Sequence, residues 1–562
     1  MSEQSRVVLF ILLALLVFFA WSKYFAPQPP PNKPQHPQTA QTAQAAPSAG
    51  SEQLKAPAAK PTVIPVVQAS AEKTIVVSSG EYHVELSNRG AVAKSWRLQK
   101  YLNEEKPPKP LDLVHSDSAS ELGWPLSLVL ANSQDEQKVN TALYDVEPAS
   151  GEVKAPAEVT FRWSDGHLAV TKTLKFAESY QVAMDVSVTV DGKPVPVAVA
   201  WRGGFGDASV ESWAEHANVF YNQTGSIELN AYKKLGVSGN QSKPKETTGP
   251  MQFLGIEDQF FAAAFLPDKQ NLSLWDWTQY HNVTTGSKPV STPIASMAAG
   301  SDSEEPLHMR LFVGPKDIAV LRSVRPSLSG LINFGWTSIV AKPLLYALQW
   351  THKYISNYGW AIVLMTLAIN LPLFPLRLMS QKSMRRMQVL APEMRAIQDR
   401  YKKYAMRDPR RRKMQEEIME LYQKHGVNPI PIGACLPMLV QLPIWWALDR
   451  VLIASIELRH APWIWWIHDL SVKDPYYILP VAMAIAMYMS TAMTPQATGV
   501  DPAQQKMMKW MPIFMAVLFI NLSSGLNLYI LTSSLIGAGQ QVYLNRTQPM
   551  PTQKGRFKKK PA

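Results

Sequence analysis

Apolar residues in this chain are sharply segregated. Residues 7–21 (VVLFILLALLVFFAW) are uninterrupted apolar, four further long apolar stretches follow residue 355, and none of comparable length lies between 26 and 330. Runs approaching ~20 residues are what cross a bilayer. The pattern therefore reads as an anchor, a large soluble domain and a membrane domain.

Charge follows the same division. Residues 26–330 carry 27 Lys and Arg against 32 Asp and Glu, whereas residues 331–562 carry 27 against 11. A mildly acidic soluble half and a basic membrane half point to opposite sides of a membrane. Within the membrane half, residues 377–426 hold 14 basic and 6 acidic residues, and the tail after Leu544 holds 6 basic and no acidic ones. The positive-inside rule places both in the cytosol and the soluble domain in the periplasm.

The N-terminal run has Arg6 ahead of it and Ser22-Lys23-Tyr24-Phe25 behind it, with no small-x-small cleavage site, so residues 1–26 read as an uncleaved signal-anchor span. Residues 27–69 form a Pro- and Ala-rich linker, with ten prolines in 27–65. Residues 70–326 alternate like strands, as in Tyr82–Ser87, Leu168–Phe176, Tyr180–Val190 and Asn271–Trp277. Turn signals such as Asn88-Arg89-Gly90 and Asp191-Gly192 separate them. A large β-sandwich is expected. The lone cysteine, Cys435, excludes an internal disulfide.

Residues 327–357 form a lead-in whose apolar stretch 331–341 stops at Pro343; it either lies in the membrane interface or packs as an ordinary helix. Further spans are expected at 358–378, 432–453, 476–493, 510–522 and 524–544, making six with the anchor. The five later ones fill a core at 358–545, and 546–562 is a basic cytosolic tail. Between the second and third spans, Met387, Leu390, Met394, Ile397, Tyr401 and Tyr404 recur at spacings of 3, 4, 3, 4 and 3. That is one helix with a narrow apolar seam. Asp408-Pro409 breaks it, and Met414, Ile418 and Leu421 continue on a second helix. A cytosolic hairpin at 380–426 results, with Arg385, Arg386, Arg410, Arg411 and Arg412 as its basic surface.

The spans are polar for a passive anchor. Thr366, Asn370 and Arg377 share a face of the second span, Gln441 lies in the third, and Ser523, Asn527, Ser534 and Gln541 recur at 4, 7 and 7 in the sixth. Polar side chains facing lipid are penalised, so such stripes turn to each other or to water. Interhelical hydrogen bonding explains any one of them; two stripes opening toward a basic end suggest a hydrated groove. The fifth span is short, about 13 residues against the usual ~20, which favours local bilayer thinning. Of 23 methionines 18 follow residue 360, four of them (Met483, Met487, Met489, Met493) in the fourth span. Such flexible side chains suit varied apolar partners as well as ordinary core filling. The tail Arg556–Lys560 suits anionic lipid or ribosomal RNA. No nucleophile elbow, zinc-protease motif or phosphate loop occurs, and no metal or cofactor is called for.

Several segments together resemble the YidC family of membrane-protein insertases. They are Phe374–Met384, Asn428-Pro429 with Gly433–Pro437, Gln441–Pro443 and Ser524–Tyr529 in the membrane half. In the soluble half they are Asn88–Tyr101, Gly255–Pro267 and Leu311–Lys316. The resemblance implies an α-helical polytopic membrane protein with a five-helix insertase core and a periplasmic all-β supersandwich. It implies a hydrophilic groove open to cytosol and lipid and closed on the periplasmic side, with Tyr529 joining the groove residues above. It further implies no catalysis and no ATP use. The implied partners are nascent membrane proteins, the phospholipid bilayer, the Sec translocon and, at the hairpin and tail, the ribosome. One departure stands out. The family's groove carries an Arg or Lys on the second span, and aligned through Phe374-Pro375-Leu376 that position is Asn370 here, with Arg377 one helical repeat nearer the cytosol. The segment 428–437 is also longer by two.

Two other classes compete. A transporter or channel predicts inverted repeats, and none is seen across the later spans. A membrane-tethered sugar-active enzyme predicts an acid/base pair in the β domain, whose histidines show no ligand-like spacing.

Overall fold

A computed structural model describes residues 64–149, 151–210, 217–223, 225–231, 244–268, 272–285, 288–404, 408–425, 432–493 and 502–547. The expected anchor, most of the linker and all but the first two residues of the basic tail lie outside the described residues. The chain divides into a β-rich unit within Leu54–Ile332 and a helical unit from Asn333 onward.

In the β-rich unit the described strands form three sheets, one of ten strands and two of five. Leu168–Phe176 and Gln181–Val190 are central neighbours in the large sheet and pair antiparallel. Their alternating burial follows from the two-residue period of a strand. Phe261–Pro267 is buried along almost its whole length between Met251–Glu257 and Leu307–Pro315, so its sequence, FAAAFLP, does not alternate. Turns sit where the left-handed region is required: Asp191 and Gly192 have φ of 52° and 75°, and Gly90 has φ of 72°. A Cβ on Gly90 would also lie 2.3 Å from the Asn140 carbonyl oxygen.

The three sheets share one aromatic core. Tyr82 and Trp96 come from one five-stranded sheet, Phe176 from the large sheet and Trp201 from the other five-stranded sheet. Trp96 lies 6.4, 6.3 and 6.1 Å, centroid to centroid, from the other three. Lys172 occupies an inward position of its strand and is fully buried. Its Nζ donates to the carbonyls of Ala91 (2.8 Å) and Leu126 (2.7 Å), both residues of positive φ. Burial pushes the amine down to about 7. The segments that carry the family resemblance do structural work here. Asn88 holds the backbone of Lys73, Ala71 and Tyr144, and Lys316 pairs with buried Glu257 at 3.3 Å and donates to the Asp258 carbonyl.

Among the described residues, three short α-helices belong to this unit: α1 (Ser116–Leu122), α2 (Ser133–Thr141) and α3 (Ile318–Ser323). The helical unit holds α4 (Ser338–Tyr354), α5 (Tyr358–Val389), α6 (Ala391–Tyr401), α7 (Arg410–Lys424), α8 (Ile432–Ala454), α9 (Ile478–Met493), α10 (Pro502–Phe519) and α11 (Ser524–Thr547). Within it α11 packs on α9, α5 and α8, α5 packs on α8 and α4, and α10 packs on α9. Among the described residues, Tyr358–Pro375 is the one helical stretch long and apolar enough to cross a membrane; Ile478–Met493 and Trp510–Phe519 are shorter apolar helices.

Three boundaries differ from the sequence expectation. Helix α4 does not stop at Pro343 but carries it inside, because its buried face (Ala341, Leu344, Leu345, Leu348, Thr351) holds the next turns. Its other side leaves Ile339, Tyr346, Trp350 and Tyr354 exposed. Helix α5 likewise runs through Pro372 and Pro375 to Val389, well past the expected end at 378. The hairpin's first arm is consequently two pieces rather than one helix: the end of α5 and, after a break at Leu390, α6 with Pro392 in its first turn. The seam itself packs as a small core of Met394, Ile397 and Leu421, with Tyr401, Met414, Ile418 and Tyr422 against it.

Candidate functional site

The polar residues of α5, α8 and α11 converge. On α5, Asn370 is buried and its Nδ2 donates to the Thr366 carbonyl at 2.8 Å. Arg377 lies seven residues on, about two turns nearer the α5 C-terminus, yet its guanidinium returns toward Asn370. One NH2 donates to Asn370 Oδ1 at 3.0 Å and NH1 donates to Gln540 Oε1 on α11 at 2.9 Å. The direction follows from helix geometry, since Cα–Cβ bonds tilt toward the helix N-terminus. On the same side of α11, the Ser533 hydroxyl reaches Asn370 Oδ1 at 3.5 Å. One turn earlier the buried Tyr529 hydroxyl accepts from Gln441 Nε2 of α8 at 2.9 Å. A polar line thus runs along α11 from Tyr529 through Ser533 to Gln540, with α8 and α5 supplying its partners. Arg377, Gln441 and Gln540 remain partly exposed.

Some expected residues stand elsewhere. Thr366 is fully buried and its hydroxyl donates to the Ile362 carbonyl of its own helix. Ser523 precedes α11 and its hydroxyl accepts from Leu526 N–H at 3.4 Å. Asn527 donates to the carbonyls of Phe519 and Leu522, tying the start of α11 to the end of α10. Ser534 is half-buried and sits one residue round the helix from the serine that meets Asn370. The sequence offers two doublets, Ser533-Ser534 and Gln540-Gln541, and a spacing argument through Asn527 selects the second member of each. Anchoring the stripe on Tyr529 instead selects Ser533 and, with Gly537, Gln540. Gln541 bonds Asn545.

The connection between α8 and α9 closes over the N-terminal ends of α5 and α11, a feature no motif announced. Val472 and Leu470 carbonyls accept from Ser524 and Gly525 N–H at 2.7 and 2.9 Å. Asn357, ahead of α5, donates to the Pro462 and Trp463 carbonyls, and Trp463 lies where a Cβ on Gly359 would be, 2.1 Å from its ring. The carboxylate of fully buried Asp474 accepts from Trp466 Nε1, Tyr476 N–H and Leu479 N–H, locking this connection to α9.

In the hairpin, Arg410 is exposed, pairs with Asp408 at 3.1 Å and lies over the Tyr404 ring at 4.1 Å. Arg412 is exposed. Arg385 and Arg386 fall on α5 and Arg411 on α7, with side chains outside the described ones. The Tyr401 hydroxyl donates to Glu417 at 2.6 Å, joining α6 to α7.

Comparison with known proteins covers both units. Residues 74–347 match the family described as the YidC periplasmic domain, and residues 350–552 match the family described as the 60Kd inner membrane protein. The membrane protein insertase YidC of Burkholderia lata is 36% identical over 71% of this chain and 69% of its own length. That of Burkholderia multivorans is 30% identical over 99% of this chain and 98% of its own. Among solved structures, an active YidC insertase with its first transmembrane domain resolved covers 86% of this chain and 95% of that chain, at 21% identity and a TM-score of 0.35. With both family models and these relatives matching its helical, membrane-associated region and its β-rich periplasmic domain, this chain belongs to the YidC family of membrane protein insertases, non-catalytic inner-membrane proteins that insert and chaperone other membrane proteins.

Proposed function

We propose that the polar line of α5, α8 and α11 is a water-filled groove that receives the polar flank of a nascent membrane protein while its apolar segment slides into lipid beside α5 and α11. The observation that carries this reading is the Arg377 guanidinium, held between Asn370 and Gln540 with only neutral amide oxygens as partners among the described residues. A cation on facing helices marks a hydrated polar path, since a lipid-facing one would be strongly penalised. Arg377 thus stands in for the charge that the family pattern would place at Asn370. The groove residues are Asn370, Arg377, Gln441, Tyr529, Ser533 and Gln540.

In this reading the anchor and α5, α8, α9, α10 and α11 make six spans, with both termini and the hairpin in the cytosol, and the β sheets close as a supersandwich. The connection over the N-terminal ends of α5 and α11 is the periplasmic seal. Short apolar helices such as Trp510–Phe519 thin the bilayer, shortening the low-dielectric path of the flank. The free energy comes from burying the inserted segment, at ~25 cal/mol per Å² of apolar surface. The hairpin captures the chain from the ribosome, the basic tail binds anionic lipid or ribosomal RNA, and the protein works alone or beside the Sec translocon.

The test is depletion of the native protein and rescue by Arg377→Ala. Failure to insert single-span substrates at normal protein level is the expected result. Full rescue removes Arg377 from the mechanism.

A further inference from the structure

We propose that Gln540 is a positioning residue: it fixes the depth and plane of the Arg377 guanidinium and so determines how strongly the groove favours acidic flanks. The inference rests on the reading of Arg377 just given. Neither Gln540 nor its neighbour Gly537 belongs to a segment that carries the family resemblance.

The geometry is specific. A guanidinium is a planar fork whose donors point in fixed directions. Here one arm ends on Asn370 Oδ1 of α5 and the other on Gln540 Oε1 of α11. Two acceptors on two helices leave it neither free to rotate nor free to swing out to the end of α5. Gly537, one turn ahead of Gln540, supplies the room: a Cβ there would lie 3.3 Å from NH1, tighter than ordinary contact. Both acceptors are amides, so they hold the group without cancelling its charge. A guanidinium has five N–H donors, and those not used by Asn370 and Gln540 remain for a carboxylate of the passing chain. A lysine at 377 would bring the charge without the fork.

The experiment uses the full-length protein in vesicles of phosphatidylethanolamine and phosphatidylglycerol. Two single-span substrates are compared that differ only in acidic or amide residues in the translocated flank. Gln540→Glu keeps the contact to NH1 but places a compensating charge on it. Insertion of the acidic-flank substrate is expected to fall about tenfold, the loss of one charge-assisted contact. The amide-flank substrate, which offers the guanidinium no charge, should fall by a smaller factor, so the ratio of the two insertion rates is the readout. Gly537→Val, which pushes NH1 away by a different route, should lower the same substrate selectively, and Arg377→Ala should erase the difference between the two. Equal loss of both substrates in Gln540→Glu would assign Gln540 a merely structural part and overturn the proposal. Unchanged insertion of both, while Arg377→Ala still erases the preference, overturns it but leaves the reading of Arg377 standing. A preference that survives Arg377→Ala overturns both.

Discussion

Replacing Lys172 by Met should remove a rise in stability with alkaline pH. Lys172 is fully buried among the three sheets, and its amine has two carbonyl acceptors and no carboxylate in the contacts described. Burial lowers it to about 7, whereas an unfolded lysine titrates near 10.4. Between those values the unfolded chain binds the extra proton, so unfolding is disfavoured as pH rises. Each pH unit in that window is worth at most ~1.4 kcal/mol, and the whole interval roughly 4–5 kcal/mol. Below about 7 both states are charged and the contribution is flat. Lys172→Met loses the titration but leaves the Ala91 and Leu126 carbonyls without their donor, at about 1–3 kcal/mol each. The two effects nearly cancel at neutral pH, so the slope and not the midpoint is diagnostic. Urea unfolding of the full-length protein in detergent, followed by tryptophan fluorescence of the Trp96 core at pH 7, 8, 9 and 10, reads it. The native protein should gain stability across the series relative to the Met variant. Parallel curves would refute the buried, uncompensated amine.

Further outcomes follow from the packing. Gly359→Val should clash with Trp463, costing ~1–3 kcal/mol and exposing the α8–α9 connection to protease. Asp474→Ala orphans three N–H donors and should lower thermal stability by ~3 kcal/mol, more than Asp474→Asn, which keeps an acceptor. Leu421→Ala opens a cavity in the hairpin core, about 2–3 kcal/mol, and should speed amide exchange across α6 and α7 while α9 and α11 stay protected. Tyr529→Phe removes the Gln441 contact at about 1 kcal/mol and should leave protein levels normal.

Much of the architecture was legible because periodicity reports burial directly. Leu168–Phe176 alternates and is half-buried in alternation; the Met394–Leu421 seam recurs at helical spacing and packs as a core. Helix ends were less legible. At Pro343 a stop is expected from local cost alone, yet there, as at Pro372 and Pro375 inside the expected second span, the helix continues. The polar line was legible as a tendency and not as a residue set. Polar spacing pointed to α5 and α11, but a doublet such as Gln540-Gln541 offers either face, and only the partner helix selects one. The return of Arg377 to Asn370 was open in the sequence because two prolines separate them; continuity of α5 through both decides it. The packing of the α8–α9 connection at Gly359, Ser524 and Asp474 depends on backbone groups and leaves no pattern in side-chain type.

In the proposed mechanism, insertion depends on water along the line from Gln540 to Gln441. Single cysteines at Gln441, Ser533 and Gln540, in a Cys435→Ser background, can be exposed to a membrane-impermeant thiol reagent from the cytosolic side. Leu535 and Val517, exposed apolar positions on α11 and α10, are the lipid-facing controls. The three groove positions should label rapidly while both controls stay unmodified. Groove positions no more reactive than Leu535 and Val517 would contradict the existence of the groove.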